Sequence, residues 1–405
     1  MLTFNYEATN SKTGQKVKAK VQADNEQGAA KLIKEQGLTP LSIKVEKAGS
    51  TSRFKRIKSK DRVLFSRQLS TLINAGLPLV QSLRQTANQT QNKPLKNIIN
   101  QVINDVEAGS SFSAALAKYP DVFNRVYISL IEAGEASGTL DSSLDRLATQ
   151  QEKDADIISK VRGALAYPVI VLLVMTAVVG FMVVKVLPTV QNVYKGLNGV
   201  SLPILTRVLL GFSHFVTHFW FIVLLIIAGL IVFYSRWSKT TGGRSVIDKS
   251  KMKAGPIGRL YMKMYMARFS RTANTLVGSG VPLIQVLEIS ADAVDNVHIA
   301  NSLHKAIEKI KGGKALSEAI RNDPNFLELV PSMIKIGEDS GAMETMLDKT
   351  ADYYEKEVDN EIKAISTIIE PFLMIVMGII ALIIVAAILL PIYGLVNQSG
   401  FTNSV

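Results

Sequence analysis

Two short acidic segments hold the side chains best suited to bind an ion. Each surrounds a turn of the form Gly-x-x-x-Gly, and the acids concerned are Glu132 and Glu135 in one segment and Glu338 and Asp339 in the other. Carboxylate oxygens are preferred ligands of divalent cations. The four acids are therefore candidates for a metal site, above all between subunits. The alternative interpretation is a solvated turn whose glycines end a helix.

A histidine pair is the second candidate for ligand chemistry. His214 and His218 lie four residues apart, a spacing that places both side chains on one helix face. A zinc site needs further ligands, and no carboxylate is nearby in the sequence. The neighbouring Phe215, Phe219 and Trp220 instead favour an aromatic belt at a membrane interface.

The chain carries no recognisable catalytic motif. Gly312-Gly-Lys-Ala315 lacks both the glycine spacing of a nucleotide-binding loop and the hydroxyl residue after its lysine. A zinc-protease histidine pair, a nucleophile elbow and a calcium loop are all missing. The absence of cysteine excludes thiolate metal sites, disulfides and cysteine nucleophiles. We therefore predict a protein that is not an enzyme and that needs no cofactor.

Basic residues account for the net charge of +12 and are concentrated in two segments, 53–62 and 235–271. The candidate contacts for a partner or for lipid in these segments are Arg53, Lys55, Arg56, Lys58, Lys249, Lys251 and Lys253. The first segment has a single aromatic residue, Phe54, so it lacks a stacking platform and we predict no direct nucleic-acid binding. Anionic lipids attract such segments when they lie beside a membrane. A protein partner with an acidic surface is the alternative.

One sequence occurs twice in the chain. Phe65-Ser-Arg returns as Phe269-Ser-Arg, and Gly134-Glu-Ala-Ser-Gly138 returns as Gly337-Glu-Asp-Ser-Gly341. Each copy is far longer than the unit of a solenoid, so we interpret it as a duplicated domain. The helical spacing of its apolar residues predicts five or six antiparallel helices per copy. One of these is expected over Asn124–Ala133, ended by Gly134, and the next is expected to be capped by Thr139.

Three apolar runs, Pro168–Val184, Val208–Phe233 and Phe372–Leu390, have lengths near the 20 or so residues that cross a bilayer. The first and third each end one copy of the repeat. The second would return the chain so that both copies share one side of the membrane. Glu370 lies just before Pro371, at the predicted membrane surface, where it could pair with a partner's basic residue or terminal amine. The alternative is an acid that reaches into the headgroup region.

The charges beside these runs predict the orientation, because cytoplasmic flanks carry an excess of lysine and arginine. One side has three, namely Lys185, Lys195 and Arg207. The other side has eleven, namely Lys153, Lys160, Arg162, Arg236, Lys239, Arg244, Lys249, Lys251, Lys253, Lys356 and Lys363. We therefore expect both repeats and the N-terminus in the cytoplasm and the C-terminus outside. No cleaved signal peptide is expected.

The predicted fold is an all-α membrane protein with two homologous cytoplasmic bundles, three transmembrane helices and a small N-terminal ββαβ domain. The predicted divisions are a domain at 1–48, a basic linker at 49–60, bundle 1 at 61–167, a transmembrane helix at 168–187, an external loop at 188–207, a second transmembrane helix at 208–234, a basic linker at 235–264, bundle 2 at 265–370, a third transmembrane helix at 371–391 and an external tail at 392–405.

With these motifs in place, the chain resembles a known family, the inner-membrane platform proteins of type IV pilus and type II secretion machines. The resemblance covers about residues 2–395. It rests on the paired Phe-Ser-Arg segments, each followed by Gly76-Leu-Pro78 or Gly280-Val-Pro282, and on both Gly-Glu-x-Ser-Gly turns. Further similar segments are Ala164-Leu-Ala-Tyr-Pro168, Ser201-Leu-Pro-Ile-Leu-Thr-Arg207 and the opening Phe4-x-Tyr6-x-Ala8 with Gly37-Leu-Thr-Pro40. One departure is Val17-Lys-Ala-Lys-Val21, where the family often has a glycine.

The resemblance implies an adaptor in the inner, cytoplasmic membrane. It implies partners that include a hexameric cytoplasmic ATPase, pilin or pseudopilin subunits and other inner-membrane assembly proteins, with a homo-oligomer, dimer or higher, as the expected state. The implied function is to couple the ATPase to insertion or removal of pilin subunits in a type IV pilus machine. The alternative is the equivalent platform of a type II secretion system. A small transporter is a distant alternative, because the apolar runs lack the charged substrate path that a transporter needs.

Overall fold

A computed structural model of the chain describes residues 2–10, 16–23, 26–35, 37–45, 57–186, 188–189, 207–208, 210–211, 214–215 and 218–401. The predicted contact residues Arg53, Lys55 and Arg56 lie outside these ranges. The described residues divide into two compact units, of which one contains residues 1–58 with 90–98 and the other contains 59–89 with 99–405.

A three-stranded antiparallel sheet forms the N-terminal region. The strands are β1 (Leu2–Asn10), β2 (Lys16–Ala23) and β3 (Leu38–Val45), with β1 in the centre, and helix α1 (Glu26–Glu35) comes between β2 and β3. Ala8 and Ile33 are fully buried and pack with Leu38. Gly37 adopts φ of +73°, the left-handed conformation that ends a helix, just after α1.

Six helices make up the first repeat. They are α2 (Ser59–Asn74), α3 (Leu79–Gln89), α4 (Lys93–Glu107), α5 (Phe112–Ala117), α6 (Arg125–Ser137) and α7 (Leu140–Phe181). Helix α2 packs on α7, and α6 packs on both α5 and α7. Aromatic rings fill the centre of this bundle: Phe123 lies 6.0 Å from Phe65 and 4.9 Å from Tyr127 between ring centroids. The predicted helical bundle is confirmed.

The second repeat has the same plan. After α8 (Trp220–Trp237) and α9 (Thr241–Lys253), its helices are α10 (Gly255–Gly278), α11 (Leu283–Ala293), α12 (Val297–Lys311), α13 (Leu316–Ile320), α14 (Leu329–Ser340) and α15 (Met343–Phe401). The matching helix pairs are in contact, and Phe269 meets Phe326 edge to face at 5.5 Å. The basic segment 235–264 is largely helical, since it contains α9 and the start of α10.

One predicted helix boundary is wrong. Helix α6 does not end at Gly134 but continues to Ser137, and Gly138, with φ of +73°, takes the left-handed position that ends it. Gly134 is instead a site of close approach, because a Cβ atom added there would lie 2.6 Å from the Ser143 hydroxyl of α7. The Thr139 side chain also makes no capping hydrogen bond to α7.

Two helices are long and apolar enough to cross a membrane, Leu140–Val186 and Met343–Ala386. Helix α7 passes through Pro168 without a break and ends in a π-helical turn, Met182–Val186. Helix α8 also exposes large apolar side chains, such as Leu225 and Phe233. Its apolar stretch, Leu224–Trp237, is shorter than those of the two long helices. The described residues between 207 and 218 are helical. A count of three spans stays a prediction.

Candidate functional site

The repeated glutamates of the two acidic turns cap short helices. The Glu135 carboxylate accepts hydrogen bonds from the backbone N–H groups of Phe112 and Ser113, at 2.5 and 2.9 Å. The Glu338 carboxylate accepts from Leu316 and Ser317, at 2.6 and 3.2 Å. A carboxylate at a helix N-terminus satisfies N–H groups that the helix leaves free and interacts favourably with the helix dipole. Both glutamates therefore hold their bundle together.

The other two candidate ligands do not join them. Glu132 and Asp339 are exposed. No group of three His, Asp or Glu side chains in the described residues is arranged to hold a metal ion. Gly138 and Gly341 end their helices with φ of +73° and +69°, as in the alternative interpretation of these segments.

The arginine of each Phe-Ser-Arg motif fixes its bundle to the long helix that follows. In the first repeat the guanidinium group of Arg67 donates two hydrogen bonds to Glu152, at 2.7 and 2.6 Å, and one to Asp145 at 2.7 Å. The hydrogen bonds with Glu152 raise the pKa of Arg67 and lower the pKa of Glu152. Such forked pairs are stronger and more directional than a single contact. They clamp α2 to α7.

The same clamp is more deeply buried in the second repeat. Arg271, only 13% exposed, donates to Glu355 at 2.8 Å, to Asp348 at 2.7 Å and to Asp352 at 2.6 Å. Burial acts to lower the pKa of Arg271, but its hydrogen bonds to Glu355 and Asp352 outweigh burial and raise it. The guanidinium therefore stays charged and binds α10 to α15.

The two bundles are joined along α7 and α15, below the apolar segments. Three basic side chains of α7 pair with acids of α15: Arg146 with Glu344 at 2.8 Å, Lys153 with Glu355 at 3.1 Å and Lys160 with Asp359 at 2.8 Å. Between these pairs Ile157 packs on the buried Val358 and Ile362. The partners rise together in number along both helices, so α7 and α15 run parallel.

A second row of contacts joins α6 and α7 to α10 and α11. Arg125 pairs with Asp292 at 3.0 Å and with Glu288 at 3.4 Å. The Gln150 amide donates to the Thr272 hydroxyl at 2.9 Å, and both side chains are buried. They line a polar cavity of about 180 Å³ between the repeats. Buried polar partners of this kind favour one specific packing of α7 on α10.

A cluster of ionic groups lies where the second bundle approaches its apolar segment. Lys263 pairs with Glu357 at 2.8 Å and with Glu361 at 2.7 Å, and Arg259 pairs with Glu361 at 3.0 Å. Hydrogen bonding from Lys263 lowers the pKa of Glu361, and burial only partly opposes this. The cluster ties the start of α10 to α15.

Replacing Glu361 with glutamine is expected to lower the free energy of unfolding at pH 7 by about 2 kcal/mol, the typical value of hydrogen bonds to a charged group. Because the folded-state pKa of Glu361 is lowered, its contribution is present above its ordinary pKa and is lost as the pH falls through the folded value. The difference from wild type should therefore shrink in acid. Unfolding of the full chain in detergent at pH 7, 5 and 3.5 checks this.

A matched control is Glu318→Gln, which removes an exposed carboxylate whose only ion pair among the described residues is with Lys314 at 3.1 Å. That change should cost no more than about 0.5 kcal/mol at any of the three pH values, as exposed helix pairs do. Equal effects of the two substitutions would show that the buried cluster does not stabilise the fold.

The apolar segments of α7 and α15 enclose a cleft. Its volume is about 430 Å³, and apolar side chains of both helices line it, among them Ile170, Val174 and Val178 of α7 and Met377 and Ile384 of α15. Nothing polar in this lining could select an ion or a polar solute.

Four of the five predicted contact residues that the structure describes are exposed. Lys58, Lys249, Lys253 and Glu370 are exposed. Lys251 is instead held within its own bundle, where its ammonium group lies 3.4 Å from the buried Asp248 and 5.9 Å from the centre of the Tyr261 ring. The arginines of the two clamps were not among the predicted site residues, and the capping glutamates were predicted as metal ligands rather than as caps, although every one of them is repeated in the sequence.

Comparison with known proteins agrees with the duplicated plan. A family model described as "Type II secretion system (T2SS), protein F" matches residues 65–188 and again 269–391, and a model of the N-terminal domain of that protein matches residues 1–44. The chain is 37% identical over 405 residues to the type IV pilus assembly protein PilC of Thermus thermophilus, which covers 98% of this chain and 99% of the relative.

Two relatives from Pseudomonas aeruginosa are similar at a lower level. The chain is 32% identical to the type IV pilus assembly protein PilC of that organism, over 91% of this chain and 98% of the relative. It is also 32% identical to the type II secretion system protein F, over 98% of this chain and 99% of the relative. These matches cover both repeats, and the chain therefore belongs to the type II secretion system protein F family, the inner-membrane platform proteins of type IV pilus and type II secretion machines.

Proposed function

We propose that the chain is the integral-membrane platform of a type IV pilus machine, where it couples a cytoplasmic assembly or retraction ATPase to the insertion or removal of pilin subunits. The observation that carries this proposal is that each bundle continues, through one unbroken helix, into an apolar segment. A force applied to the bundles then reaches the membrane without passing through a flexible joint. The relatives named as pilus assembly proteins give further support, at up to 37% identity.

The proposed arrangement in the membrane follows the predicted divisions. Bundle 1 (61–167), bundle 2 (265–370) and the N-terminal domain (1–48) lie in the cytoplasm, and helices near 168–187, 208–234 and 371–391 cross the membrane. The ion pairs between α7 and α15 support this arrangement, because they require both bundles to be in one compartment. The excess of basic residues on the same side is further support.

Reporter fusions test the arrangement. Fusions after residues 58, 160 and 255 should report the cytoplasm, and fusions after residues 195 and 400 should report the outside. If residues 160 and 255 were found on opposite sides of the membrane, the proposed three-span arrangement would be wrong.

Deleting the gene tests the function. Cells that lack the chain should carry no surface fibres while pilin stays in the membrane, because insertion into the fibre requires the platform. A plasmid copy of the wild-type gene should restore the fibres. Deleted cells that still make fibres would refute the proposal.

The alternative function is the equivalent platform of a type II secretion system, which assembles a pseudopilus. The relative from Pseudomonas aeruginosa named as type II secretion system protein F is as similar as the pilus protein of that organism, at 32% identity. The same deletion separates the two functions. Retention of secreted proteins inside the cell, with fibres unchanged, would favour secretion.

A further inference from the structure

The two bundles of one chain pack head to tail. The first repeat contributes α6 and α7, whereas the second contributes α10, α11 and α15. The first-repeat counterparts of α10 and α11 are α2 and α3, which face elsewhere. A head-to-tail interface uses two different surfaces, so it leaves one surface of each kind without its complement. Here these are the α14–α15 surface of the second repeat and the α2–α3–α7 surface of the first.

The free surface of α15 has the same row of basic residues as the paired surface of α7. Phe123 and Phe326 occupy equivalent places, so counterparts from there on differ by 203 residues (326 minus 123). Arg146, Lys153 and Lys160, which pair with the second bundle, therefore correspond to Lys349, Lys356 and Lys363. Both rows have a spacing of seven residues. All three α15 lysines are exposed, and none has an ion pair among the described residues.

The α15 acids that pair with the basic row of α7 also have acidic counterparts in the first repeat. Glu344, Glu355 and Asp359 correspond to Asp141, Glu152 and Asp156 on the first repeat. Asp141 and Asp156 are exposed, and Asp156 also pairs with Lys160 of its own helix at 2.8 Å. Glu152 uses Arg67, just as Glu355 uses Arg271 while it also binds Lys153. Each of the three ion pairs within the chain thus has an unpaired basic copy and a matching acidic copy.

The contact between α6 and α11 has a counterpart with its charges exchanged. Within the chain Arg125 of α6 pairs with Glu288 of α11. Their counterparts are Glu328 at the start of α14 and, with the offset of 204 that applies before Pro120 (269 minus 65), Arg84 of α3. Both side chains are exposed, and Arg84 also pairs with Glu107 of its own bundle. An exchanged pair remains attractive, so the fourth contact is also complementary.

We propose that the α15 lysine row of one chain docks on the Asp141–Asp156 surface of α7 in a second copy, and that this contact repeats the junction between the two bundles of a single chain. Charge complementarity at all four pairs selects the second copy as the occupant. Two copies joined in this way can lie in one membrane with the same orientation, because α7 and α15 run parallel. This proposal goes beyond the proposed function and does not depend on it.

The contact between copies is more polar than the junction within the chain. Ile157 and Val161, which pack in that junction, correspond to Asn360 and Ala364 on α15. Charge pairs therefore supply most of the attraction, and exposed charges are screened by salt. The assembly should accordingly dissociate as ionic strength rises, while the junction within each chain, with its buried apolar side chains, persists.

A charge exchange tests the docking surface on the full chain in a neutral detergent, in which the copies can associate side by side. Asp141→Lys and Lys349→Asp, each alone, should weaken self-association about tenfold or more, because each places like charges opposite one another. The two changes combined in one chain should restore it to within about threefold of wild type. Mass photometry against concentration measures this. If an acidic partner protein or anionic lipid were the true occupant, neither single change would alter self-association of the purified chain, and that result would overturn the proposal.

Crosslinking tests the same surface without changing the charge pattern of the other pairs, and the chain has no cysteine of its own. Membranes that contain one tagged chain with Asp141→Cys and a differently tagged chain with Lys349→Cys should give a two-tag product with a short bis-maleimide. Lys305→Cys, at an exposed position of α12, replaces Lys349→Cys as the control and should give none. Equal yields from the two combinations, or no product from either, would refute docking through α15.

Discussion

Replacing Arg271 with alanine is expected to lower the free energy of unfolding by about 3 kcal/mol, the lower end of the range for removing one partner of a buried ion pair. The substitution leaves three carboxylates, Asp348, Asp352 and Glu355, without their shared cation. Only Glu355 retains another basic partner, Lys153. The two aspartates are about half exposed, so water will screen part of their repulsion, and this keeps the estimate at the low end.

The first repeat supplies the comparison for this prediction. Arg67 makes the equivalent contacts but is 32% exposed, against 13% for Arg271, so Arg67→Ala should cost less than Arg271→Ala. Arg271→Lys should fall between wild type and alanine, because lysine keeps the charge but cannot form the fork. Thermal unfolding and hydrogen exchange of α10 in the full chain check the order. If Arg271→Ala left both unchanged, the clamp would not hold the bundle to α15.

The duplication in the sequence made the two bundles predictable, and the residues of the arginine clamps are repeated with it. The Phe-Ser-Arg motifs are repeated, and so are the acids that bind the arginines, Asp145 with Glu152 and Asp348 with Glu355. A charged residue that is present in both copies while its neighbours differ is expected to make the same contact in both bundles. The partners are about 80 residues apart in the chain, however, and single-sequence periodicity does not connect residues at that distance.

The capping role of the two glutamates was also not predicted from the sequence. Glu135 and Glu338 attract attention as possible ligands, because they accompany other acids beside a glycine turn. Their distance in sequence from the helix that each one caps is nearly constant, at 22 residues to Ser113 and 21 to Ser317. That shared spacing is a signal for a contact within each bundle. This spacing is a better guide than the local cluster of acids, because Glu132 and Asp339 do not occupy equivalent positions in the two copies.

The junction between the bundles could not be predicted from sequence. Periodicity shows which side of α7 is apolar, but Arg146, Lys153 and Lys160 look like an ordinary solvated row until α15 is placed beside them. The counterpart row on α15 is solvated within one chain. The same pattern of basic residues therefore forms a contact in one repeat and lies on an exposed surface in the other. Only the three-dimensional structure distinguishes the two.

Replacing Gly134 with alanine is expected to lower the free energy of unfolding by about 2 kcal/mol, within the usual range for overpacking a core. The new Cβ atom would lie 2.6 Å from the Ser143 hydroxyl oxygen and 2.7 Å from the Ser143 Cβ, and 3.2 Å from the Leu140 backbone. A rotation of the serine side chain cannot remove the contact with its Cβ. Helix α7 must therefore move away from α6, and this shift will also weaken the hydrogen bonds of Glu135 to α5.

The same substitution at a glycine of α7 provides the control for the Gly134 prediction of α6. Gly163 is helical and has no atom within 4 Å of a Cβ added to it. Gly163→Ala should therefore stabilise the chain by about 0.5–1 kcal/mol, because alanine loses less backbone entropy in a helix. Adding Ser143→Gly to Gly134→Ala should recover part of the loss, since it removes both clashing side-chain atoms. Thermal unfolding of the wild type and the three variants tests this prediction, and a Gly134→Ala protein as stable as Gly163→Ala would disprove the close approach of the two helices.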